Sequence, residues 1–266
     1  MLHDIAPHKL NNEWYPHDAK SHDLTLYFSR EGVCMKDGHF PVREDYPKEA
    51  RLTYLFDYDG GHVFLSDKPA KDAELLPLNQ IRNLSQPEAF MGGTAQHLWS
   101  WYDKTRYCGH CGSPMHHSTH ERAMVCEACG NTVYPRISPA VIVLIHDGGE
   151  NIMLARGVNF RGGFYSCIAG YLEIGESLEQ AVKREALEEV GLHLDDITYF
   201  GNQPWPFTDT QMVGFFAKAD PAEPIRIQKN ELADARWFHV SELPQTPQSI
   251  AIASAMIAKW KSELQK

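Results

Sequence analysis

Three short stretches in the first hundred residues alternate apolar and polar positions, which is typical of β-strands with one buried face. These stretches are residues 24–28, 51–56 and 62–65. The sequence Asp57–Gly61 is rich in turn formers and separates the last two, so we expect a β-hairpin there. A short helix is expected around residues 94–102. The pattern therefore predicts a small β-rich N-terminal domain.

The pattern changes in the second half of the chain, where strand-like runs are mixed with two helical stretches. Ser177–Val190 and Ile250–Leu264 place apolar residues at spacings of three and four, as amphipathic helices do. Strands mixed with helices in this way indicate an α/β sandwich. The strand-like runs are residues 140–146, 152–155, 197–200, 212–218 and 234–238.

Four of the six cysteines form two pairs in one window, Cys108 with Cys111 and Cys126 with Cys129. A Cys-x2-Cys pair directs two thiolates to one point, and two such pairs complete the tetrahedral sulfur site that Zn²⁺ accepts. Four sulfur ligands close the site, so we predict one structural zinc per chain. Two disulfides are the alternative, and they are disfavoured because the chain carries no recognisable export signal.

The remaining cysteines and the nearby histidines have simpler interpretations. Cys34 and Cys167 have no partner at metal-ligand spacing, so we expect both to be small buried side chains. Histidines beside the cysteine pairs are alternative zinc ligands, although solvated surface positions are the simpler interpretation. These histidines are His110, His116, His117 and His120.

The cysteine window divides the chain into three predicted parts. We expect an N-terminal β-rich domain at residues 1–103, a zinc ribbon at residues 104–137 and an α/β domain at residues 138–266. The ribbon is too short to form its own hydrophobic core, so its zinc would cross-link the two cysteine pairs and stabilise the fold of the segment.

Composition and charge restrict the function. The chain has 266 residues and a formal net charge of −10, which disfavours binding of long polyphosphate backbones through counterion release. A small anionic substrate is compatible with this charge if metal cations supply positive charge. The longest aliphatic run, Ala140–Ile145, is far shorter than the ~20 residues that a spanning helix needs. We therefore expect no membrane contact and a cytoplasmic location.

The helix predicted at Ser177–Val190 carries carboxylates on an unexpected face. Ser177 and Gln180 form a capping box at its start, and Gly191 suits its end. At ~100° per residue, three glutamates project within or beside the apolar stripe, where a carboxylate is costly unless it is paired or bound to metal. The alternative is a solvated acidic face paired with Lys183 and Arg184. The glutamates are Glu185, Glu188 and Glu189, an oxygen-rich set that suits Mg²⁺ or Mn²⁺.

This segment resembles the Nudix box, and the chain is identified on it as similar to Nudix hydrolases. The matching positions are Gly170, Glu176, Arg184, Glu185, Glu188, Glu189, Gly191 and Leu192, with Ala186 in place of a larger aliphatic residue. Gln203–Phe207 is similar to the SQPWPF signature of the NADH pyrophosphatase subgroup, which also carries a four-cysteine zinc ribbon before its Nudix domain. A stretch like Tyr134-Pro135-Arg136 follows the ribbon in that subgroup. The departures from the signature are Asn202, Thr208, Thr210 and Gln211.

The resemblance implies a fold and a metal site. The fold would be a Nudix α/β/α sandwich preceded by the β-rich domain and the zinc ribbon. Glu185, Glu189, Glu231 and the backbone carbonyl of Ala169 would hold the catalytic Mg²⁺ or Mn²⁺. Glu188 would be either a further ligand or the base that orients water, and Arg184 would hold the glutamates through Glu176 or Glu188.

The resemblance also implies substrate contacts. Tyr134 and Tyr171 would face the nicotinamide, and the Gln203–Thr210 segment would contact the dinucleotide. The full set is Glu121, Tyr134, Tyr171, Gln203, Pro204, Trp205, Pro206, Phe207, Thr208, Asp209, Thr210 and Ala251. Core packing is the alternative for the aromatic residues among them.

The activity implied is metal-dependent hydrolysis of NAD(H) to NMN(H) and AMP, with removal of NAD caps from RNA 5′ ends as a related reaction. Homodimers are common in the family, so Tyr134 would reach the site of a neighbouring subunit. Two alternatives stay open at this point. One is a Nudix hydrolase of ADP-ribose or another nucleoside diphosphate derivative, and the other is a degenerate domain that only binds nucleotide or RNA.

Overall fold

The computed structural model describes residues 1–15, 17–158, 163–247 and 250–264. The chain forms two compact units. The C-terminal unit comprises Met1–Leu2, Ser138–Trp205 and Thr210–Lys266, and the N-terminal unit comprises His3–Ile137 and Pro206–Asp209. The predicted boundary between the β-rich domain and the ribbon stays a prediction, because both lie within the N-terminal unit.

The N-terminal unit contains short strands in three small sheets, one four-stranded with the order β1-β4-β5-β2. Asp59 and Gly60 close the β4–β5 hairpin with positive φ angles of 51° and 78°, which confirms the turn predicted at Asp57–Gly61. The strands are β1 (Leu10–Asn11), β2 (Leu24–Leu26), β3 (Val33–Met35), β4 (Leu52–Tyr58), β5 (Gly61–Ser66), β6 (Glu74–Leu76), β7 (His116–His117), β8 (Met124–Val125) and β9 (Thr132–Val133). Short 3-10 helices span Arg43–Asp45, Leu78–Asn83 and Pro206–Thr208.

The helix expected at residues 94–102 is longer than the pattern indicated: helix α1 spans Gln86–Lys104. Pro87 lies in its first turn, where a missing N–H costs nothing. Gly92 and Gly93 have low helix propensity, so the sequence pattern predicts only the part of the helix that follows them. Both are needed, because a Cβ on Gly92 would lie 2.5 Å from Cζ of Phe40.

The ribbon shares a hydrophobic core with the rest of the N-terminal unit. Met115 and Met124 from the ribbon pack in one cluster with Met91, Leu98 and Trp101 of α1. This arrangement supplies the apolar contacts that a segment of the ribbon's length lacks by itself.

The C-terminal unit is a mixed sheet with one helix on each face. Among the described residues the strand order is β13 (Asp195–Trp205), β14 (Thr210–Lys218), β10 (Ser138–His146), β11 (Asn151–Gly157) and β15 (Leu232–His239). Strand β12 (Ile168–Tyr171) also pairs with β10, and of these described pairs only β10 and β14 run parallel. The helices are α2 (Leu178–Glu189) and α3 (Ile252–Leu264).

The central strand β10 shows why both faces are covered. Val141, Val143 and Ile145 pack in the cluster that contains the apolar side of α2. Ile142 and Leu144 pack in the cluster that contains α3. Residues 141–145 are all apolar because this part of β10 is buried on both faces. This confirms the α/β/α sandwich.

One local expectation needs correction. The proline-rich sequence Gln203–Thr210 is typical of a loop, but Gln203–Trp205 ends β13 and Pro206–Thr208 forms a 3-10 helix. Pro204 suits the end of a strand, and Pro206 suits the first turn of a helix.

Cys34 and Cys167 are buried, as expected. Among the described residues, no helix combines the length and apolar character needed to cross a bilayer.

Candidate active site and zinc site

Helix α2 is fixed at both ends by local sequence. The N–H of Gln180 donates to Oγ of Ser177 at 3.2 Å, and the N–H of Ser177 donates to Oε1 of Gln180 at 2.7 Å. Gly191 follows the helix with a φ of +75°. The predicted capping box and glycine stop are both present. They determine which residues face the sheet, and therefore where the glutamates point.

The three glutamates of α2 do not share one environment. Glu185 and Glu189 are buried, with 8% and 6% of their surface exposed. The side chain of Glu188 is 53% exposed. Glu185 and Glu189 therefore lie within the apolar stripe, and Glu188 lies beside it at the exposed edge. At about 100° per residue, Glu189 lies about 40° from Glu185 around the helix axis, whereas Glu188 lies about 60° from Glu185 in the opposite direction.

Gly170 of β12 gives the Glu185 carboxylate its place. A Cβ at Gly170 would lie 2.0 Å from Cδ of Glu185, a distance that no pair of carbon atoms adopts without bonding. Only glycine therefore lets the carboxylate lie directly against the strand. The neighbouring residue Ala169 pairs with Ile142 in the sheet, which fixes the backbone beside this carboxylate.

Arg184 links the glutamates of this region. Its guanidinium donates two hydrogen bonds of 2.8 Å to the carboxylate of Glu176, one from Nε and one from Nη2. Nη1 donates to Glu185 at 2.7 Å and to Glu188 at 3.2 Å, and Nη2 also donates to the carbonyl of Tyr171 at 3.0 Å. The predicted contacts with Glu176 and Glu188 are both present. The contact with Glu185 was not predicted, because the side chains of adjacent helix residues rarely face each other.

Arg184 compensates some carboxylates and leaves one without a partner. Its hydrogen bonds lower the pKa of Glu176. Burial raises the pKa of Glu185 despite the contact with Arg184. Burial and the charges of Glu185, Glu231 and Glu188 raise the pKa of Glu189 to about 8. Among the described residues, no hydrogen-bond donor or cationic side chain contacts the Glu189 carboxylate.

Glu231 is held near this group by the backbone. The N–H of Gln228 donates to the carbonyl of Glu189 at 2.9 Å, and the N–H of Glu231 donates to the carbonyl of Gln228 at 3.0 Å. This turn brings a remote carboxylate next to the end of α2, and the charge of Glu231 accordingly acts on Glu189.

This arrangement fits a hard divalent cation. The buried Glu189 carboxylate faces like charges without a cationic partner among the described residues, which is unfavourable, and a bound cation would remove that cost. The ligand set of Glu185, Glu189, Glu231 and Ala169 stays a prediction. Among the described residues, only two groups of histidine, cysteine or acidic side chains bring three or more ligand atoms within 4.8 Å of one another. These groups are the four ribbon cysteines and the set His17, Asp57 and His62.

The four ribbon cysteines form a site of a different kind. Sγ of Cys108 lies 3.7 Å from Sγ of Cys129, and Sγ of Cys111 lies 3.5 Å from Sγ of Cys126. Tetrahedral zinc with bonds of about 2.3 Å places its sulfur ligands roughly 3.7 Å apart, whereas a disulfide needs about 2.05 Å. All six cysteines are free thiols, so the disulfide alternative is wrong.

The backbone shapes each cysteine pair as a metal-binding knuckle. Gly112 and Gly130 adopt positive φ angles of 77° and 74°, where other residues are strained. Backbone N–H groups of Cys111 and His110 lower the pKa of the Cys108 thiol to about 6, which favours the thiolate that zinc binds. The four nearby histidines are all exposed and lie outside the sulfur cluster, as the simpler interpretation required.

In the C-terminal unit, the predicted substrate contacts differ in exposure. Tyr171 is 53% exposed, and its hydroxyl forms a 3.2 Å hydrogen bond with the hydroxyl of the buried Thr210. Gln203 is fully buried, and its Nε2 donates to the carbonyl of Ile250 at 2.8 Å. Ala251 is half-buried and accepts from the first turn of α3. Pro204 and Trp205 are half-buried.

In the N-terminal unit, two predicted contacts lie together in the ribbon. The hydroxyl of Tyr134 donates to Oε1 of Glu121 at 3.0 Å, and both side chains are exposed. The remaining members are the buried Pro206, the half-buried Phe207 and Asp209, and the exposed Thr208. The roles of all these residues in binding stay predictions.

Helix α1 supports the Pro206–Asp209 segment, a role that sequence reasoning missed. A Cβ on Gly93 would lie 2.9 Å from Cγ of Pro206. Nζ of Lys104 lies 3.1 Å from Oδ2 of Asp209, and Nε2 of His97 lies 3.6 Å from Oδ1. No signal near residues 93–104 indicates a contact with a segment a hundred residues later, so the sequence alone did not reveal it.

Comparison with known proteins points in one direction. The NUDIX domain model matches residues 136–260, and the model of the NADH pyrophosphatase zinc ribbon domain matches residues 103–134. The chain is 44% identical over 238 residues to the "NAD-capped RNA hydrolase NudC" of Stutzerimonas stutzeri, covering 86% of each protein. It is 43% identical over 252 residues to the protein of the same name from Pseudomonas aeruginosa (strain LESB58), covering 91% of this chain and 90% of that one.

A solved structure is similar as well. A Nudix hydrolase from Nitrosomonas europaea matches with a TM-score of 0.46 and 20% identity, covering 52% of this chain and 80% of that chain.

Proposed function

The chain belongs to the Nudix hydrolase family, and we propose that it hydrolyses the pyrophosphate of NAD(H) to NMN(H) and AMP and removes NAD caps from RNA 5′ ends. The observation that carries this proposal is the pair of buried carboxylates on α2. Glu185 is held by Arg184 and Gly170, while Glu189 has no cationic partner among the described residues. The names of the relatives from S. stutzeri and P. aeruginosa support the choice of substrate.

A divalent cation is the cofactor that these residues fit, and we propose Mg²⁺ or Mn²⁺. Oxygen donors suit these ions, whereas the four ribbon cysteines supply the sulfur ligands that zinc prefers. Glu185, Glu189, Glu231 and the carbonyl of Ala169 would hold the ion. When bound, it supplies positive charge to the pyrophosphate oxygens and acidifies water.

Glu188 is best suited to orient the attacking water. Its side chain is 53% exposed, and Arg184 holds one of its oxygens at 3.2 Å, so it is both accessible and fixed. Nη1 of Arg184 donates to both Glu185 and Glu188, which fixes the two carboxylates relative to each other. Its own charge is balanced by Glu176, to which it donates two hydrogen bonds.

The substrate contacts, the oligomeric state and the location belong to the same proposal. Exposed aromatic rings at Tyr134 and Tyr171 suit stacking on flat bases. We propose a cytoplasmic homodimer in which Tyr134 acts on the neighbouring subunit's substrate.

The proposal is tested by incubating the protein with NADH and either Mg²⁺ or Mn²⁺ and separating NMNH and AMP by chromatography. Glu189→Gln should reduce turnover by about a thousandfold, because it removes a ligand charge from a site built around the metal. Glu179→Gln is the matched control, since Glu179 is an exposed glutamate on the same helix.

Wild-type turnover by Glu189→Gln would contradict the metal site. Cleavage of ADP-ribose with no cleavage of NADH would contradict the substrate, and binding of NAD(H) without any cleavage would favour a binding module. A capped RNA substrate, assayed for release of NMN, tests the decapping reaction separately.

A further inference from the structure

A cleft of about 250 Å³ lies in the N-terminal unit, built by β4, α1, the ribbon and a residue near the N-terminus. None of the catalytic residues proposed above lines it, and Glu121 is the one predicted substrate contact among its lining residues. Its volume is below the ~300–1,000 Å³ that is typical of ligand pockets, so it suits a small ligand or one part of a larger one. Its chemically distinctive lining residues are Trp14, Tyr54, Tyr102, His117, Glu121 and Arg122.

Arg122 is a cation without an anionic partner in this cleft. Nη2 donates to the carbonyl of Leu55, and Nε is buried without an acceptor among the described residues. No carboxylate of the described residues lies within ion-pair distance of its guanidinium. The carboxylate of Glu121 receives the hydroxyl of Tyr134 instead. A half-buried guanidinium in this state is suited to an anion supplied by a ligand.

Aromatic side chains form the walls around this cation. Tyr102 and His117 pack with ring centroids 4.8 Å apart, which fixes one wall. Trp14 is half-buried and lines the same cleft. Aromatic rings combined with a guanidinium are the usual means by which proteins bind unpaired bases and their phosphates.

We propose that this cleft binds one nucleotide of the RNA chain that follows an NAD cap, with the base stacked on Trp14 and Tyr102 and a phosphate on Arg122. The choice of capped RNA as the source of that nucleotide rests on the proposed function. The shared chemistry is a base with a phosphate, and a free mononucleotide such as AMP is the other source. A single contact of this kind allows a chain of net charge −10 to bind RNA without a long basic track.

The test compares two substrates in two variants, Trp14→Ala and Arg122→Gln. Each should lower kcat/KM for a short NAD-capped single-stranded RNA by about tenfold, the effect of losing one stacking or phosphate contact. Neither should change kcat/KM for NADH. The matched controls are Tyr15→Ala, an exposed aromatic next to Trp14 outside the cleft, and Arg51→Gln, an arginine with a 90% exposed side chain.

An equal fall for both substrates, or no fall for capped RNA, would overturn the proposal. Thermal unfolding of each variant checks the fold. Trp14→Ala carries the test if Arg122→Gln is unstable without its bond to the carbonyl of Leu55.

Direct binding separates this proposal from the proposed function. Fluorescence anisotropy of uncapped, 5′-phosphorylated single-stranded RNA should show weaker binding in both variants even if the wild type hydrolyses neither substrate. Binding of 5′-AMP that both variants lose, with unchanged binding of RNA, would assign the cleft to the free nucleotide and overturn the RNA assignment.

Discussion

The chain carries two sites suited to cations, and they are built on opposite principles. The ribbon brings four thiols within 4.8 Å of one another, two of the Sγ–Sγ distances being 3.5 and 3.7 Å, and all four come from two short sequence pairs. The α2 site combines adjacent helix residues with a remote glutamate, and it keeps its carboxylates further apart. A closed set of soft ligands is a structural device, while an open set of oxygen ligands leaves room for substrate and water.

The sites also differ in how they manage charge. In the ribbon, backbone N–H groups favour the thiolate form of Cys108. On α2, Arg184 offsets Glu176, Glu185 and Glu188, but Glu189 is buried without a cationic partner among the residues described. The ribbon thiols are therefore suited to a permanently bound zinc, whereas the proposed α2 site would hold an ion that acts in the reaction.

The largest expected effect comes from removing a ribbon ligand. Cys126→Ser replaces a fully buried cysteine and should abolish the one zinc per chain found by metal analysis. The thermal midpoint should fall sharply, because structural zinc in small domains is worth on the order of 10 kcal/mol of binding free energy. Cys34→Ala is the control, a buried cysteine outside the cluster that should retain zinc. Full zinc content in Cys126→Ser would remove the distinction between the two sites.

The next effect concerns the space beside Glu185. Gly170→Ala places a Cβ where the carboxylate now lies, so Glu185 must move by more than an ångström. Turnover of NADH should fall by about a hundredfold, as for comparable misplacements of catalytic groups. Zinc content should not change. Gly201→Ala, at a glycine with open space around its Cβ position, is the control with normal turnover expected.

A smaller effect is expected from the arginine that links the carboxylates. Arg184→Lys keeps the positive charge but loses the paired hydrogen bonds to Glu176. Charge-assisted hydrogen bonds contribute about 1.5–3 kcal/mol, so kcat should fall by roughly tenfold to a hundredfold. Steady-state kinetics on NADH measures this, and Lys183→Arg on the exposed face is the control. An unchanged kcat would mean that charge alone organises the site.

The smallest effect has the opposite sign. In the presence of a chelator that leaves the ribbon zinc in place, Glu189→Gln should raise the thermal midpoint by a few degrees. Because the pKa of Glu189 is raised to about 8, the folded protein at neutral pH must either take up a proton at this carboxyl or bury an unpaired charge, and the neutral amide of glutamine avoids that cost, a gain on the order of 1 kcal/mol. Differential scanning calorimetry provides the measurement. A lower midpoint would show that Glu189 already has a stabilising partner, which would make the two sites more alike than the structure indicates.

Local sequence signals determined a large part of this protein. The capping box of Ser177 and Gln180 set both the start and the face of α2, and the cysteine pairs set the ribbon. The turn at Asp59 and Gly60 set the hairpin. Each signal acts between residues a few positions apart, so the local sequence is sufficient to specify these three features.

The tertiary structure decided the features that depend on distant partners. It extended α1 through Gly92 and Gly93, whose missing side chains make room for Phe40 and Pro206. It also gave Glu185 its place against Gly170 and brought the charge of Glu231 to Glu189. Glycine lowers helix propensity in any local reading, and only the packed neighbour reveals why it is there. The sequence by itself predicted which residues would carry the chemistry, whereas contacts between distant segments decided which carboxylates are buried, which are paired and which face solvent.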